Sequence, residues 1–412
     1  MRVLVQKFGG TSVSTMERRQ QVVAKITAAQ NAGYSPVVVV SALGRRGEPY
    51  ATDTLINLAR QECPDIDRRE QDLIMSCGEI VAGVIVVGAL RNAGIEAAFL
   101  TGPQAGIVTT SRYGNAQILR IDPDAVFSHL NRGQVAVIAG FQGRAENGDI
   151  TTLGRGGSDT SAVALGAALG AEQVEIYTDV NGIMTADPRA VASARIIPSI
   201  SYEEVYQMAL QGAKVIHPRA VEIAMRYNLP LWIKSTFTDE TGTLISNKLN
   251  GTIELIRGMD AVGLAQADDY GVMRISACDQ THSGYTSLLL DEWSRAGIDL
   301  DFINISPNGM EITATQENLT LAAHLVENNA LKISDRLEGC AKVSLIGRSL
   351  SASNGVGAFI EVLQQAQIPI LQTFTGPLTI SGIVEREYMA ASMQSLHEVF
   401  LKLKTEVMED MQ

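Results

Sequence analysis

The sequence predicts an α/β protein in which a mostly parallel sheet, sandwiched by helices, is followed by two smaller ferredoxin-like βαββα units. Two observations lead to this fold class. Short β-branched runs alternate with helical stretches through residues 1–235, and two similar segments follow a polar stretch after residue 240. The length of 412 residues exceeds what one hydrophobic core usually supports, so two or three domains are expected.

The parallel sheet is predicted from runs that are apolar on both faces, as in strands buried between helices. These runs read RVLVQKF, YSPVVVVSAL, QVAVIAGF, QVEIYTDV and LPLWIKST. After the first run, Ser14 and Glu17 form a capping-box pattern and Gly33 can end a helix, so a helix is predicted from Ser14 to Gly33. Asn147-Gly148 predicts a hairpin with a type I′ turn.

The C-terminal part is predicted to contain an internal repeat. The polar stretch TDETGTLISNKLNGT predicts a linker over 241–260. After it, GVMRISACDQTHSGYTSLLLDEWSRAGIDLDFINIS resembles AKVSLIGRSLSASNGVGAFIEVLQQAQIPILQTFT at an offset of about 70 residues. In each segment a strand leads through a small-residue turn, HSGY or SNGV, to a helix and a second strand. A further strand and helix complete βαββα in both.

Composition excludes several classes of protein. The net charge is −12 and no run is rich in Lys or Arg, which argues against nucleic acid as the main partner. The longest apolar run, IVAGVIVVGAL, is too short to span a bilayer and predicts a buried helix. No secretory signal pattern precedes the first strand, and the cysteines share no metal or disulfide spacing, so a reducing cytoplasm is expected.

The first candidate site is the motif KFGGTSV at the end of the first strand. Gly9 and Gly10 allow a tight turn that brings backbone N–H groups close to a ligand, and the following helix directs its positive end there. Lys7 would add a full positive charge. The motif therefore fits a phosphate cradle, but on this stretch alone it fits an ordinary strand-to-helix turn equally well.

A second glycine loop, LGRGGSDTSAVALGAALGA, favours a ligand site. Arg155 lies between glycines, where its fork can bind a carboxylate or phosphate. Ser158 is at a predicted N-cap. Asp159, in the first turn, can hydrogen-bond a lysine, coordinate Mg²⁺ or only cap the helix. His217, in KVIHPRA, is interpreted as a structural residue at a helix entry. No P-loop, Rossmann fingerprint, zincin or protein-kinase motif occurs.

Together with YTDVNGIMTADPR and GAKVIHPRAVEIA, these motifs resemble the aspartate kinases of the amino-acid kinase superfamily, which carry tandem ACT domains. The resemblance covers nearly the whole chain, and SALGRRGEPYATDTLINLA with SCGE is most similar to the diaminopimelate-regulated branch. It implies a catalytic domain over 1–240 and ACT domains over 261–335 and 336–412. The strand at 261–267 can pair with the second ACT domain. The charged segment RRGEP, absent from shorter family members, has no implied role.

The resemblance also implies an activity and a set of site residues. ATP, with Mg²⁺, would phosphorylate the β-carboxylate of L-aspartate, the first step of lysine/diaminopimelate, threonine and methionine biosynthesis. Lys7 would contact the transferring phosphate and Asp159 would hold that lysine. Glu79 would bind the substrate ammonium group and Arg155 its α-carboxylate. The other implied residues are Ser41, Thr52 and Ser158 for the substrate, and Phe8, Gly9, Gly10, Thr178, Asp179, Met184, Arg189 and Lys214 for the nucleotide, together with Lys7; no metal ligand is implied. Taken alone, Glu79 and Lys214 would be interpreted as solvated helix residues.

The resemblance further implies feedback inhibition by an amino-acid-type effector (diaminopimelate, lysine or threonine) and a homo-oligomer formed through the ACT domains, with no membrane partner. Two alternatives stay open at this point. One is a kinase acting on glutamate, acetylglutamate or carbamate, which SCGE and the repeats argue against. The other is a catalytically idle amino-acid sensor, which the set of Lys7, Glu79, Arg155 and Asp159 argues against.

Overall fold

The computed structural model describes residues 1–45, 47–213, 215–247, 260–276, 285–307, 309–329, 331–348, 350 and 353–402. The chain separates into two compact units. The first contains Met1–Ile183, Ile196–Ala209 and the described part of 214–254. The second contains Met184–Arg195, Leu210–Ala213 and the described residues from 260 onward.

The first unit alternates strands and helices. Its strands are β1 (Val3–Phe8), β2 (Ser35–Val40), β3 (Ala97–Leu100), β4 (Ile107–Thr109), β5 (Ile118–Ile121), β6 (Val135–Ala139), β7 (Gln142–Ala145), β8 (Ile150–Thr152), β9 (Gln173–Thr178), β10 (Ser199–Ile200), β11 (Leu231–Ser235) and β12 (Thr243–Ile245). Its helices are α1 (Gly10–Val13), α2 (Met16–Asn31), α3 (Thr52–Glu62), α4 (Arg68–Asn92), α5 (Asp124–Leu130), α6 (Gly157–Ala168), α7 (Tyr202–Leu210) and α8 (Pro218–Tyr227).

An eight-stranded sheet in the order β10-β12-β11-β9-β1-β2-β6-β3 forms the core of this unit. Its neighbouring strands run parallel except β11 and β12. Every predicted strand run is found, as β1, β2, β6, β9 and β11, and the mostly parallel sheet is confirmed. A four-stranded sheet, β5-β4-β7-β8, lies in the same unit.

The longest helix, α4, packs on the large sheet. Among the described residues it is the one helix long and apolar enough to cross a membrane, by length and composition alone. Ala82, Val86 and Leu90 are buried in one core cluster with Phe8 of β1 and Ile26 of α2. The apolar run IVAGVIVVGAL forms part of α4 and supplies these core residues, as predicted.

Three local predictions differ from the structure. The cap of α2 is Thr15, whose hydroxyl accepts from Arg18 N–H. Ser14 cannot cap α2, because it is the C-cap of the short helix α1 that precedes α2 along the chain. The hairpin between β7 and β8 is present, but of its turn residues only Gly148 has a positive φ (+93°), so the turn is not type I′.

The third difference concerns the predicted linker. Thr243–Ile245 forms β12, which pairs with β10 and β11, so the sheet extends into the range predicted as a linker. The sequence does not predict this strand, because its only apolar residues are the pair Leu244-Ile245 and the residues around them are typical of turns.

The second unit contains the predicted repeat. Its strands are β13 (Asp260–Ser276), β14 (Phe302–Ser306), β15 (Gly309–Thr315), β16 (Lys332–Arg348), β17 (Gln372–Gly376) and β18 (Thr379–Glu385), and its helices are α9 (Tyr285–Ala296), α10 (Gln316–Asn328), α11 (Ser353–Gln365) and α12 (Met389–His397), with a 3₁₀ turn at Arg386–Tyr388 and a π-helical turn at Glu398–Lys402. This order is βαββα twice, as predicted, in one antiparallel sheet ordered β14-β15-β13-β16-β18-β17.

The long strands β13 and β16 are shared between the two repeats. Leu264 pairs with Leu345 in the second repeat, whereas Val272 pairs with Leu337. The first-repeat turn HSGY lies outside the described residues except for Tyr285, and SNGV begins α11.

Two short segments of the second unit come from within residues 1–240. In the segment Met184–Arg195, Ala186 and Val191 are buried in a core cluster with residues of β13, β16, α11 and α12. Thr185 Oγ1 lies 2.9 Å from Nε2 of the buried His397. In the segment Leu210–Ala213, Gln211 accepts a hydrogen bond from Ser344. The second unit is therefore not built from the C-terminal half of the chain alone.

Candidate active site

The candidate site lies at the edge of the large sheet where its parallel strands end. Phe8 of β1 is in register with Val40 of β2 and Tyr177 of β9, and Val40 is in register with Ala139 of β6. The residues that follow these strands therefore meet at one edge, which is the usual position for ligands in parallel α/β sheets.

Lys7 and Asp159 form an ion pair at this edge. Lys7 Nζ lies 2.7 Å from Asp159 Oδ1, and the two side chains are only 12% and 13% exposed. Lys7 is the penultimate residue of β1, and Asp159 lies in the first turn of α6. The lysine contact, one of the possibilities for Asp159, is thus present, and a mostly buried ammonium group is held in a fixed place.

The glycine turn beside Lys7 is packed against the loop that follows β2. Gly9 N–H donates to Tyr177 O (3.2 Å), and Gly44 N–H donates to Gly10 O (3.1 Å). A Cβ on Gly10 would lie 2.4 Å from Ala42 O, so no larger residue fits. The helix that begins at the turn is the short α1, whereas the predicted helix begins as α2 at Met16.

Glu79 is a buried carboxylate with one oxygen unsatisfied. It is 2% exposed, on α4, and Oε1 accepts from Ala42 N–H at 3.0 Å. Oε2 has no hydrogen-bond partner among the described residues. Burial raises the pKa of Glu79 to about 8, against the smaller opposing effect of the Ala42 hydrogen bond. An unsatisfied buried carboxylate is costly, and a cationic ligand group would relieve that cost.

Ala42 connects Glu79 to the glycine turn. Its carbonyl oxygen faces Gly10 and its N–H is bonded to Glu79. Gly78 makes this approach possible, since a Cβ there would lie 2.7 Å from Ala42 Cβ. Sequence reasoning did not single out Ala42 or Gly78, because a close approach between a loop and a helix leaves no pattern in a single sequence.

The pKa of Glu79 predicts a pH-dependent stability. The unfolded carboxyl ionises near 4.5, whereas the folded one ionises near 8, so the folded protein binds more protons between these values. Stability should therefore fall as pH rises through this window, by up to about 1.4 kcal/mol per pH unit. Glu79→Gln should flatten that part of the profile in denaturant unfolding of the ligand-free protein between pH 5 and 9. Parallel profiles for both proteins would contradict the buried, protonated carboxyl.

Arg155 and Ser158 are placed by the second glycine loop. Arg155 is exposed, between Gly154 and Gly156, which have φ of +75° and +65°. Its guanidinium makes no hydrogen bond to the residues that the structure describes, so it is free to bind a ligand. Ser158 is buried inside the first turn of α6, where Gly156 is the N-cap, so the predicted N-cap role of Ser158 is wrong. A glycine in the left-handed region can end the loop at Gly156, two residues before Ser158.

Ser158 and the predicted residue Ser41 lie at the same edge. A Cβ on Gly140, directly after β6, would lie 2.9 Å from Ser158 Oγ. Ser41 follows β2 and donates its N–H to Phe8 O at 3.2 Å. Thr52 is the first residue of α3. No side-chain hydrogen bond links these three residues within the described part of the chain.

The predicted nucleotide residues are divided between the two units. Thr178 ends β9 at the candidate edge in the first unit, Asp179 directly follows it, and Asp179 Oδ2 is 2.5 Å from Arg45 Nη2. Phe8 is fully buried and stacks on Tyr177, so its side chain belongs to the core.

The structure assigns Met184 and Arg189 to the second unit. There the guanidinium of Arg189 pairs with Asp187 at 2.7 Å. Lys214 lies outside the described residues.

His217 has the structural role expected for it. It is the N-cap of α8, where Nδ1 accepts from Arg219 N–H at 3.3 Å. A Cβ on Gly156 would lie 2.2 Å from His217 Cβ, so the imidazole packs directly under the second glycine loop. Burial lowers the pKa of His217, which keeps the ring neutral.

Comparison with known proteins identifies the family. Residues 2–235 match the amino acid kinase family. Aspartokinase 1 of Bacillus subtilis is 40% identical over 97% of this chain and 99% of its own length. The chain belongs to the aspartokinases. A structure of Escherichia coli aspartokinase III with aspartate and ADP is similar with a TM-score of 0.77 at 26% identity, over 96% of this chain and 99% of that one. A structure of the same enzyme with lysine and aspartate, described as the T-state, gives a TM-score of 0.71 at 26% identity over 97% and 99%.

The residues at the sheet edge are consistent with membership of the aspartokinases. The groups present are a held lysine, a glycine turn, a free arginine and a buried carboxylate. They include cationic groups for anionic ligands and one anionic group for a cation. Among the described residues no cluster of three or more His, Cys, Asp or Glu could hold a metal ion.

Proposed function

We propose that this aspartokinase transfers the γ-phosphoryl group of ATP to the β-carboxylate of L-aspartate, giving 4-phospho-L-aspartate and ADP. The observation that carries the proposal is the Lys7–Asp159 pair at 2.7 Å beside the Gly9-Gly10 turn. A fixed ammonium group beside a tight glycine turn suits a phosphoryl group in transfer. The E. coli structure bound to aspartate and ADP supports the same pair of ligands.

The chemistry needs positioning and charge more than a base. A carboxylate is already ionised at neutral pH, with a pKa of about 4, so no proton has to be removed from the nucleophile. A β-carboxylate oxygen forms a bond to the γ-phosphorus while the bond from that phosphorus to the bridging oxygen breaks, and ADP leaves. Two anions must approach, and Lys7 offsets their repulsion. Asp159 keeps the ammonium in place and leaves its remaining N–H donors for the phosphate.

The amino acid is proposed to bind through its charged ends. The unsatisfied Oε2 of Glu79 would accept from the α-ammonium group, which explains why one oxygen of a buried carboxyl has no partner among the described residues. The free Arg155 would hold the α-carboxylate, with Ser41, Thr52 and Ser158 around it. Ala42 separates Glu79 from the glycine turn, so the two ends of the substrate would lie on either side of that residue.

The nucleotide is proposed to use Gly9, Gly10, Thr178 and Asp179 of the first unit, together with Lys214. Magnesium would enter as part of the substrate, coordinated by the phosphates, as is common for nucleotide-bound Mg²⁺. Asp159 is already paired with Lys7, so the residues described here do not offer Mg²⁺ a separate carboxylate cage.

The test is a coupled assay for ADP formation in which aspartate, glutamate, N-acetylglutamate and carbamate are offered in turn. We expect turnover with aspartate only. Turnover with glutamate but not aspartate would replace the proposal with another amino-acid kinase. A protein that binds amino acids but forms no ADP with any of the four acids would be an idle sensor.

Arg155→Lys should raise the KM for aspartate about tenfold or more and leave the KM for ATP within a factor of two. An ammonium group cannot reproduce the two parallel hydrogen bonds of a guanidinium to a carboxylate. The measurement is initial rate with each substrate varied in turn. A rise confined to ATP would move Arg155 to the phosphate side of the site.

We also propose feedback regulation through the second unit, within a homo-oligomer in the cytoplasm. Among the described residues, the edge strands β14 and β17 each pair with a neighbouring strand on one side only, and Ile303 and Ile305 of β14 are exposed. The lysine-bound T-state structure of the E. coli enzyme supports an amino-acid effector. An inhibition panel of lysine, threonine and meso-diaminopimelate, alone and in pairs, tests this. No inhibition by any of them would remove the proposed effectors.

A further inference from the structure

The loop between β2 and α3 carries an arginine that the activity described so far does not use. This loop begins against the glycine turn, since Gly44 N–H donates to Gly10 O at 3.1 Å. Gly44 has a φ of +79°, which lets the chain turn there, and Glu48 N–H donates to Arg45 O at 2.9 Å in the next turn. Arg45 is therefore presented directly beside the turn that faces the phosphates.

The guanidinium of Arg45 is directed at the end of β9. Its Nη2 lies 2.5 Å from Asp179 Oδ2, with the arginine side chain 70% exposed and the aspartate 38% exposed. Asp179 is two residues beyond Tyr177, whose carbonyl accepts from Gly9 N–H. Arg45 thus spans from one wall of the candidate phosphate site, the glycine turn, to the other, the end of β9.

This ion pair is easily exchanged for another. Pairs exposed to this degree contribute little to stability in solution, so an incoming anion can displace the carboxylate at little cost. A guanidinium forms stronger, bidentate hydrogen bonds to phosphate than to water. The whole chain carries a net charge of −12, so a triphosphate needs local cations at this edge. Lys7 supplies one such charge beside the glycine turn, and Arg45 can supply another.

We propose that Arg45 leaves Asp179 when the nucleotide enters and binds a phosphate of the polyphosphate chain, as a further substrate-binding residue for phosphoryl transfer. The proposal rests on the proposed function for the identity of the nucleotide. It gives the RRGEP segment a role, because Arg45, its first residue, adds a cation between the glycine turn and the end of β9.

The experiment compares Arg45→Met, Arg45→Lys and the wild type by calorimetric binding of ADP and of adenosine, and by KM for both substrates. Methionine keeps much of the side-chain length without charge. We expect Arg45→Met to weaken ADP binding and raise the KM for ATP about tenfold or more, as for a lost charge-assisted hydrogen bond. Adenosine binding and the KM for aspartate should stay within a factor of two. Arg45→Lys should recover part of the loss.

The matched control is Arg2→Met. Arg2 is also exposed and paired with a carboxylate, Glu172 at 2.9 Å, but it precedes β1 at the opposite edge of the sheet. It should leave ADP binding unchanged. Thermal unfolding of each variant checks the fold, and Arg45→Lys carries the test if Arg45→Met does not fold.

Several outcomes would overturn the inference. Tighter ADP binding by Arg45→Met would mean that Arg45 only competes with the nucleotide for Asp179. Equal losses for adenosine and ADP, or a change confined to aspartate, would exclude a phosphate contact. A wild type that forms no acyl phosphate from aspartate would refute the proposed function, whereas a selective loss of ADP binding in Arg45→Met would still support the phosphate contact.

Discussion

Lys7→Ala is expected to lower kcat by about 10²–10³ while the protein stays folded. The ammonium acts on charge that develops as the phosphoryl group moves, so its loss should appear in kcat more than in binding. The substitution also leaves the Asp159 carboxylate unpaired at the sheet edge, where its charge would repel the phosphates. The measurement is the steady-state rate of ADP formation at saturating ATP and aspartate, with unfolding temperature as the check on structure.

Lys25→Ala is the matched control for this prediction. Lys25 is a mostly buried lysine of the same unit, paired with Asp239 at 2.7 Å, but it lies in the middle of α2. Its removal should leave kcat within a factor of two. Near-normal turnover by folded Lys7→Ala protein would show that the pair with Asp159 is structural and would refute the assignment.

Glu79→Gln is expected to raise the KM for aspartate by about 10–100-fold, with little change in ADP binding. Glutamine fills the same volume and can still accept from Ala42 N–H, so the loss isolates the charge. A hydrogen bond to a charged group contributes about 1.5–3 kcal/mol, which corresponds to that range. Binding of aspartate should also release a proton from Glu79, because the ammonium group would lower the pKa of the carboxyl from about 8. Calorimetry near pH 7 in buffers of different ionisation enthalpy measures that proton.

The same helix provides the comparison. Asp72 is also fully buried on α4, but its carboxylate accepts from Gly114 N–H, Thr152 N–H and Thr152 Oγ1 at 2.8–2.9 Å. It is satisfied by the protein itself and connects α4 to the hairpin strand β8. Asp72→Asn should therefore cost stability and leave the KM for aspartate nearly unchanged. If both variants changed stability alone, Glu79 would be a core residue of the same kind as Asp72.

Much of the fold follows from local patterns. The valine-rich run of β2 and the alternating strands and helices predict the parallel sheet because such strands need cover on both faces. The repeat predicts the βαββα units because each segment contains its own strand, turn and helix signals. The aspartokinase motifs predict which side chains to examine at the sheet edge.

Other features depend on contacts between distant segments. The cap of α2 is Thr15 and not Ser14 because the short helix α1 precedes α2 and ends at Ser14. The position of α1 in turn depends on the close packing of Gly10 against Ala42. The state of Glu79 depends on how deeply α4 is covered, and a single sequence does not reveal that burial. The partners of Arg45 and Lys7 are more than 100 residues away along the chain. Periodicity and composition contain no information on such pairs.

The segment Met184–Arg195 belongs to the second unit although it lies within residues 1–240, and this limits where the chain can be truncated or recombined. A chain ending near residue 245 would lose the core that covers Ala186 and Val191, and Thr185 would lose His397. Such a truncation would expose apolar surface as well as remove the repeats. For the same reason, a chimera that joins this catalytic half to the C-terminal half of another aspartokinase should also exchange 184–195 and 210–213. We expect only chimeras that include these two stretches to be stably folded, so the unit of exchange between relatives is discontinuous in the gene.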